Sequence, residues 1–468
     1  MLLCVFRCFI AACYAVFLVT FIPLCAARSL DGFWESKSLS EVLFVQKDYY
    51  TIYQLTGPTT LIRERGVVYD LQQRAVELSR DVANEMSITF VGELFPTVYQ
   101  RASSDVVRRL RSRSVLEPAR SAVLEPEPNV SVFLDVVTMG LSAGDAGVVK
   151  SQKDKLLKDL PQGSVNSKKL FQRLCAVLEE GGDDLGSLRR ADGTLCLGSP
   201  QSDRALLDTW KMFLERGGKK ETAATLKTLR YAVAEHVNQR LLEGQAVFGG
   251  NRKIAYGALP SGVGWIGILD LEGLSGRRDP QEDARILQAV LSEAFAALRY
   301  SSALVLDMRL STGGAAALAL DLVSRFANST RLAFLVPDDK APDLLKKARE
   351  ISLIPSLRSG WAAPVVILTS SLTGGAAEVA ALAMRDMPGI TVVGSATRGE
   401  LAWVRRWILP NGWTGTMSRG RMLSTDGTAF QGRGIPPDVE ISPARVDTFL
   451  DDLVDSISLS VVEAQASP

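Results

Sequence analysis

Residues 250 to about 445 alternate between short apolar runs and helix-forming segments. The apolar runs cover 263–271, 303–308, 332–336, 365–368 and 390–393, and helices are predicted over 279–298 and from Gly313-Gly314 to Phe326. Successive strands separated by a helix need crossover connections, which favour a mostly parallel sheet covered on both faces. The sequence therefore predicts an α/β core over residues 250–447.

The stretch 364–378 has the layout of a strand, a tight turn and a helix. A β-branched run at 365–368 is followed by mostly small residues at 370–375, and helix formers continue from Ala376 onward. Small residues allow the backbone N–H groups at a helix start to approach an anion or a developing oxyanion. We expect a functional site at this turn.

The first 27 residues are apolar with a single charge, Arg7, and they end in small residues up to Ala27. This layout predicts a secretory signal peptide over 1–27, cleaved near Ala27, and a secreted or extracytoplasmic protein. An uncleaved membrane anchor over 8–27 is the alternative. Removing the segment leaves 52 basic and 52 acidic residues, a balance that indicates no nucleic-acid partner.

Four further segments are predicted from composition and periodicity. An aromatic, β-branched region at 28–116 indicates a small β-containing domain, the proline-rich stretch 117–128 a linker, 129–249 a helical domain, and 448–468 a C-terminal helix or tail. Cys175 and Cys196 are the cysteines outside the signal segment, and they form either one disulfide or two free thiols. Asn129 and Asn328 begin glycosylation sequons. No Cys/His spacing suits a metal, so we expect neither metal nor cofactor.

Three motifs together resemble the tail-specific (C-terminal-processing) serine peptidases, in particular the branch of the tricorn core and interphotoreceptor retinoid-binding protein. They are the Gly-Gly turn at 309–314, the turn at 373–378 and the segment 432–439 (GRGIPPDV). The resemblance is strongest over about 250–445. It implies a ClpP/crotonase-like core with a mostly parallel sheet, preceded by a helical domain and a small N-terminal β-rich segment.

The resemblance also assigns positions for the reactive groups. In the family, the turn reads roughly T-x-S-A-A-E with serine as nucleophile, and the matching position here is Gly375. A lysine base follows in a segment like G-x-x-T-x-G-K-G, and Glu400 stands at that position. The amides of Gly313 or Gly314 and of Ala376 would face the oxyanion. Glu378 matches the family's Glu, which we expect to cap or pair near the helix start.

Because both reactive positions are substituted, we expect a degenerate member of the serine-peptidase family that binds a peptide or unfolded polypeptide. One alternative is an active peptidase with a relocated nucleophile, Thr373, Ser371 or Ser370, assisted by His236 or Asp184. In the tricorn-like branch a His serves the nucleophile, and Asp183 or Asp184 falls at its place. The other alternative is a carrier of a small apolar ligand, such as a retinoid or fatty acid.

Overall fold

A computed structural model of the chain describes residues 30–36, 41–56, 59–67, 75–82, 85–90, 97–112, 115–116, 126–138, 151–158, 167–181, 186–198, 205–218, 225–277, 279–337, 348–358, 360–441, 444–445 and 448–466. The predicted signal peptide, linker residues 117–125, Asp183 and Asp184 lie outside these ranges. No helix within the described ranges combines the length and apolarity needed to cross a bilayer.

The N-terminal region forms an eight-stranded sheet in the order β5-β6-β7-β1-β2-β3-β4-β8, antiparallel except for the pairing of β4 with β8. Aromatic and branched side chains, among them Trp34, Ile52 and Tyr99, are buried on one face. The predicted β-rich segment is confirmed. Its elements are β1 Gly32–Ser36, β2 Glu41–Gln46, β3 Tyr49–Thr56, β4 Thr59–Val67, β5 Ala75–Val82, β6 Glu85–Phe90, β7 Thr97–Arg101, α1 Ser104–Ser112 and β8 Val115–Leu116.

The middle of the chain is mainly helical, and its helices bury the predicted apolar faces. Leu170, Leu174 and Leu178 are all buried on one helix. The elements are α2 Pro126–Thr138, α3 Lys153–Leu157, α4 Ser167–Glu180, β9 Ser187–Arg189, β10 Leu195–Leu197, α5 Ala205–Arg216 and α6 Leu226–Leu241.

Two features of this region differ from the sequence prediction. The first is that α2 begins at Pro126, inside the predicted linker, because its apolar face is buried against the neighbouring helices. The second is that the predicted helical domain contains a β-hairpin, β9–β10, around the Asp192-Gly193 turn. The structure joins Cys175 of α4 to Cys196 of β10 in a disulfide, with a Cα–Cα distance of 6.0 Å.

The core contains a seven-stranded sheet in the order β11-β12-β13-β14-β17-β18-β21. Pairings from β13 to β21 are parallel, whereas β11 and β12 are antiparallel, so the predicted α/β core is confirmed. Its elements are β11 Val247–Gly249, β12 Ile254–Ala258, β13 Gly264–Ile268, α7 Pro280–Ala297, β14 Leu304–Asp307, α8 Ala316–Val323, β15 Arg331–Val336, β16 Arg349–Leu353, β17 Val365–Thr369, α9 Ala376–Met384, β18 Ile390–Gly394, β19 Ala402–Ile408, β20 Thr414–Arg421, β21 Val439–Glu440 and α10 Phe449–Ala466.

The strand predicted at 332–336 lies outside the central sheet. It is β15, which pairs antiparallel with β16 in a separate two-stranded sheet. Ala333 and Phe334 of β15 are buried in the same apolar cluster as α9. An apolar run of this length predicts a buried strand but not the sheet that it joins.

The hairpin β19–β20 connects the core to the rest of the molecule. It forms a four-stranded sheet with the β9–β10 hairpin in the order β10-β9-β20-β19. The side-chain amide of Gln54, on β3, donates to the carbonyl of Ile408 and accepts from its N–H, both at 3.0 Å.

Parallel pairing of β14 with β17 brings two loops to one edge of the central sheet. Asp307 is in register with Leu368, and the N–H of Met308 donates to the Leu368 carbonyl at 2.9 Å. The loop after β14 carries Gly313, and the loop after β17 carries Gly375. Loops at the carboxyl ends of parallel strands commonly form ligand sites in α/β sheets.

Candidate active site

Gly375 occupies the turn between β17 and α9 as the N-cap of the helix. Its φ is 52° and its ψ is −119°, with no side-chain cap on the helix. This left-handed backbone is disfavoured for residues that have a Cβ. A Cβ built there would lie 3.2 Å from the Cα of Gly313, so the two glycine turns are in contact distance. The structure thus places Gly313 next to Gly375, and the role of the two turns as a binding site stays a prediction.

The hydroxyl groups near this turn are bonded to the main chain. Thr373 is fully buried, and its Oγ1 donates to the Met308 carbonyl at 3.0 Å and accepts from the N–H of Ser370 at 2.9 Å. The Oγ of Ser370 donates to the Arg309 carbonyl at 2.6 Å. Ser371 is half-buried. These contacts fix the shape of the turn.

An ion pair lies against the turn at Gly374. Nη1 of Arg398 is 3.3 Å from both carboxylate oxygens of Glu400. A Cβ built on Gly374 would lie 2.9 Å from Oε2 of Glu400 and 3.2 Å from Cζ of Arg398. The N–H of Arg398 also donates to the Thr373 carbonyl at 2.8 Å. The position predicted for the base therefore holds a carboxylate engaged by a guanidinium.

Glu378, in the first turn of α9, is completely buried and holds the segment 397–400 (TRGE). Its carboxylate accepts from Oγ1 of Thr397 at 2.5 Å, from the N–H of Gly399 at 2.6 Å and from the N–H of Glu400 at 2.7 Å. The prediction that it caps or pairs at the helix start is therefore corrected, since its described partners lie on the neighbouring loop. Burial is the main cause that raises the pKa of Glu378, to about 7.

The tail segment 432–435 closes this loop from its other side. Oγ1 of Thr397 accepts from the N–H of Ile435 at 2.8 Å, and the N–H of Gly432 donates to the Gly399 carbonyl at 2.9 Å. Gly434 has a φ of 76°, and a Cβ there would overlap the Thr397 carbonyl. The glycines of the third sequence motif therefore permit a close backbone approach.

Arg230 is a residue of the site that the sequence did not predict. From α6 it donates to the Leu310 carbonyl at 2.9 Å, to Oγ1 of Thr312 at 2.9 Å and to Oδ2 of Asp270 at 2.8 Å. Burial raises the pKa of Asp270, while Arg230 and then Lys253 act to lower it. Arg230 thus fixes the loop that carries Gly313. A lone arginine on a helix gives no signal for such a role in the sequence.

Residues 266–441, which contain both turns and the ion pair, match the family model of peptidase family S41. We call residues 266–441 the S41 domain, after the family that they match. The suspected relationship to tail-specific peptidases is therefore confirmed. No curated protein matches the chain by sequence.

Solved structures resemble all or part of this fold. A candidate peptidase from Parabacteroides merdae has a TM-score of 0.55 at 19% identity and covers 74% of this chain and 98% of its own. A lipoprotein from Streptococcus agalactiae has a TM-score of 0.48 at 15% identity, and the match covers 74% of this chain and 98% of the lipoprotein. The photosystem II D1 C-terminal processing protease has a TM-score of 0.32 at 21% identity, and the match covers 45% of this chain and 50% of the protease.

His236 points away from the reactive positions of the S41 domain, towards the C-terminal helix. Its Nε2 lies 2.9 Å from Oδ1 of Asp451 on α10, a carboxylate that Arg240 also contacts at 2.7 Å. His236 therefore belongs to a partly exposed contact between α6 and α10. Within the described residues, no group of three or more His, Cys, Asp or Glu side chains is arranged to hold a metal ion.

Proposed function

We propose that this chain is a non-cleaving member of peptidase family S41 whose S41 domain binds polypeptide at the Gly313 and Gly375 turns. The observation that carries the proposal is the substitution of both reactive positions. Gly375 has no side chain, and Glu400 is paired with Arg398.

Acyl transfer by the family route needs a nucleophile and a group that takes its proton. Glycine supplies no nucleophilic atom at 375. The carboxylate of Glu400 cannot act as the neutral amine base, and Arg398 remains protonated. Gly375 lies in the β17–α9 turn and Glu400 on the adjacent loop 397–400, and main-chain bonds hold the two segments together. This supports loss of chemistry without loss of the cleft.

Polypeptide is the ligand that the retained backbone suits best. Among the described residues, no acceptor is bonded to the N–H groups of Gly313, Gly375 and Ala376. Such groups can donate to a peptide carbonyl, as an oxyanion hole does during catalysis. Because S41 enzymes are peptidases, a relative without the reactive groups would keep affinity for the same class of ligand.

A relocated nucleophile has less support. The hydroxyls of Thr373 and Ser370 bond to main-chain carbonyls, and among the described residues neither bonds to a basic side chain. A general base must lie within hydrogen-bond reach of the proton that it removes.

The carrier alternative needs a deep apolar pocket, for which the described structure gives little support. A cavity of about 540 Å³ lies on α1 and is lined by Ser104, Val107, Arg108, Arg111 and Ser112. All of these residues belong to one helix, so the cavity is an open surface groove and not the deep, enclosed pocket that a retinoid or fatty acid needs.

The proposal is tested with the mature chain, denatured β-casein and a fluorophosphonate probe. We expect saturable casein binding without cleavage and without labelling. Cleavage or labelling that disappears in Thr373→Ala, but remains in the matched Thr373→Ser, would overturn the proposal in favour of a threonine nucleophile. Absence of casein binding at any pH would overturn the proposal that the S41 domain binds polypeptide.

A further test restores the reactive groups with Gly375→Ser combined with Glu400→Lys. We expect slow casein cleavage in the double variant and none in either single variant. Cleavage by Gly375→Ser alone would show that Glu400 is not the position at which the base was lost.

A further inference from the structure

The contacts of Glu378 join the ligand turn to a loop that covers it. Its carboxylate is fully buried, and its acceptors are occupied by Thr397, Gly399 and Glu400. The same loop lays the side chains of Arg398 and Glu400 against Gly374. A ligand that approaches Gly374 from this side meets these two side chains first. Residues 397–400, which we call the covering loop, therefore cover the turn at Gly374.

A buried carboxylate normally has a cationic partner, and Glu378 has none within the described residues. The charged groups on the elements around it are already engaged. Arg398 pairs with Glu400, Arg309 pairs with Asp307 and bonds to α10, and the guanidinium of Arg433 bonds to the Ala429 carbonyl. The nearest charge that acts on Glu378 is the carboxylate of Glu400, which disfavours its ionisation.

We propose that Glu378 is a proton-linked latch, which holds the covering loop closed at acidic pH and releases it as the pH rises through neutrality. In the closed state Glu378 is buried next to Glu400, whose own cation, Arg398, makes no ion pair with Glu378, and ionisation of Glu378 makes this arrangement unfavourable. When the loop moves away, water reaches Glu378 and the two carboxylates separate. The open state therefore accepts the negative charge at lower cost.

The direction of the effect follows from linkage. In the closed state the hydrogen bonds from Thr397, Gly399 and Glu400 act to lower the pKa of Glu378, but burial outweighs them and raises it from its ordinary value of 4.5 to about 7. A solvated Glu378 in the open state returns to its ordinary range, so opening releases a proton. Between pH 5.5 and pH 8.5 the equilibrium constant for opening then rises by up to about thirtyfold. Bonds that do not titrate, such as that from the Arg398 N–H to the Thr373 carbonyl, keep the closed state favoured at low pH.

The effect on ligand binding rests on the proposed function. If the turn binds polypeptide, the open state is the one that binds it, and affinity is reduced by the fraction of molecules that are closed. We therefore expect denatured β-casein to bind more tightly at pH 8.5 than at pH 5.5.

Hydrogen exchange tests the latch without any ligand. The N–H groups of Gly399 and Glu400 both donate to Glu378, so their protection reports loop closure directly. Exchange of the 397–400 segment is followed by mass spectrometry at pH 5.5 and pH 8.5, and each rate is divided by that of an unstructured chain at the same pH. Amides of β14 serve as the reference for global unfolding.

We expect the protection of the covering loop to fall by tenfold or more at pH 8.5 in the wild type. In Glu378→Gln, which has no proton to release, protection should change by less than about twofold. Equal protection of the wild type at both pH values would overturn the latch. Should Glu378→Gln fail to fold, Glu400→Gln is the second variant, and its loss of protection should be smaller than that of the wild type.

Casein binding separates the latch from the proposed function. Fluorescence anisotropy of labelled denatured β-casein is measured at both pH values with the wild type and with Glu378→Gln. Any pH effect that Glu378→Gln also shows comes from titration of casein itself and is subtracted. Loss of loop protection without binding at either pH would refute polypeptide binding and leave the latch in place. Binding with unchanged protection would refute the latch and leave the proposed function.

Discussion

Two carboxylates, Glu378 and Glu400, are joined through a single backbone group. The N–H of Glu400 donates to Oε2 of Glu378 at 2.7 Å, while the Glu400 side chain turns to Arg398. The charge on one side of this link is buried and lacks a cation among the described residues, and the charge on the other side is paired. Stability should consequently respond to the ionisation of Glu378.

The first prediction concerns the pH dependence of stability in Glu378→Gln. Because the folded pKa, about 7, lies above the unfolded value of 4.5, the contribution of the neutral acid is fully present below pH 4.5 and is lost as the pH rises through 7. Between pH 5 and pH 8.5 the wild type should lose on the order of 2 kcal/mol of unfolding free energy relative to Glu378→Gln. Urea denaturation at both pH values measures this difference. A difference that is constant with pH would contradict the assigned pKa.

The second prediction concerns strain at the glycine turns. Gly375 has a φ of 52° and a close neighbour in Gly313, whereas a Cβ on Gly313 would meet nothing within 4 Å. Gly375→Ala should therefore cost about 1–3 kcal/mol of unfolding free energy, and the matched Gly313→Ala less than about 0.5 kcal/mol. Chemical denaturation of the two variants at one pH gives the comparison. Equal costs would show that the turn relaxes to accept a side chain at 375.

The third prediction concerns Arg230. Removing its guanidinium leaves the more distant Lys253, 3.6 Å away, as the remaining cation beside Asp270 among the described residues, and it frees the loop before Gly313. Arg230→Ala should cost about 3 kcal/mol of unfolding free energy, because it leaves a largely buried charge without its partner. The control is Arg240→Ala on the same helix, whose partner Asp451 is exposed, and it should cost less than about 1 kcal/mol. Thermal and urea unfolding of the two variants measure these costs. Similar costs would refute a special role of Arg230.

The fourth prediction concerns the disulfide between Cys175 and Cys196, which closes a loop with a sequence separation of 21 residues. A crosslink of this span stabilises a fold by about 3 kcal/mol through the unfolded chain. Reductant should lower the unfolding free energy of the wild type by about that amount and leave that of Cys175→Ala/Cys196→Ala unchanged. Insensitivity of the wild type to reductant would show that the two thiols are free.

The core of the fold follows from local patterns. Apolar runs such as 303–308 and 365–368, with helix formers between them, leave little choice besides a parallel sheet, and β14 and β17 appear there. The sheet that each strand joins does not follow from the local sequence. β15 joins β16, and the β9–β10 hairpin joins β20, because strands of three to six residues take the partner that tertiary packing offers.

The site was predicted only where the chain itself supplies the signal. Gly375 and Glu400 were found from motif positions, and the structure places Gly375 beside Gly313 and Glu400 beside Arg398. Arg230 donates to Thr312 across a sequence separation of 82 residues, and no short-range sequence pattern links two residues so far apart. The partners of Glu378 were missed for a similar reason. The sequence shows that Glu378 stands at a helix start, where the helix dipole favours an acid, but it does not show which distant loop the carboxylate contacts.

The contact of Gln54 with Ile408 also concerns how copies of this chain behave towards one another. β19 is the outer strand of its sheet, and an outer strand offers unpaired N–H and C=O groups to any other extended chain. By bonding both main-chain groups of Ile408, the Gln54 amide takes the place that a residue of a foreign strand would occupy. The N-terminal sheet thus protects the S41 domain against edge-to-edge aggregation at this position.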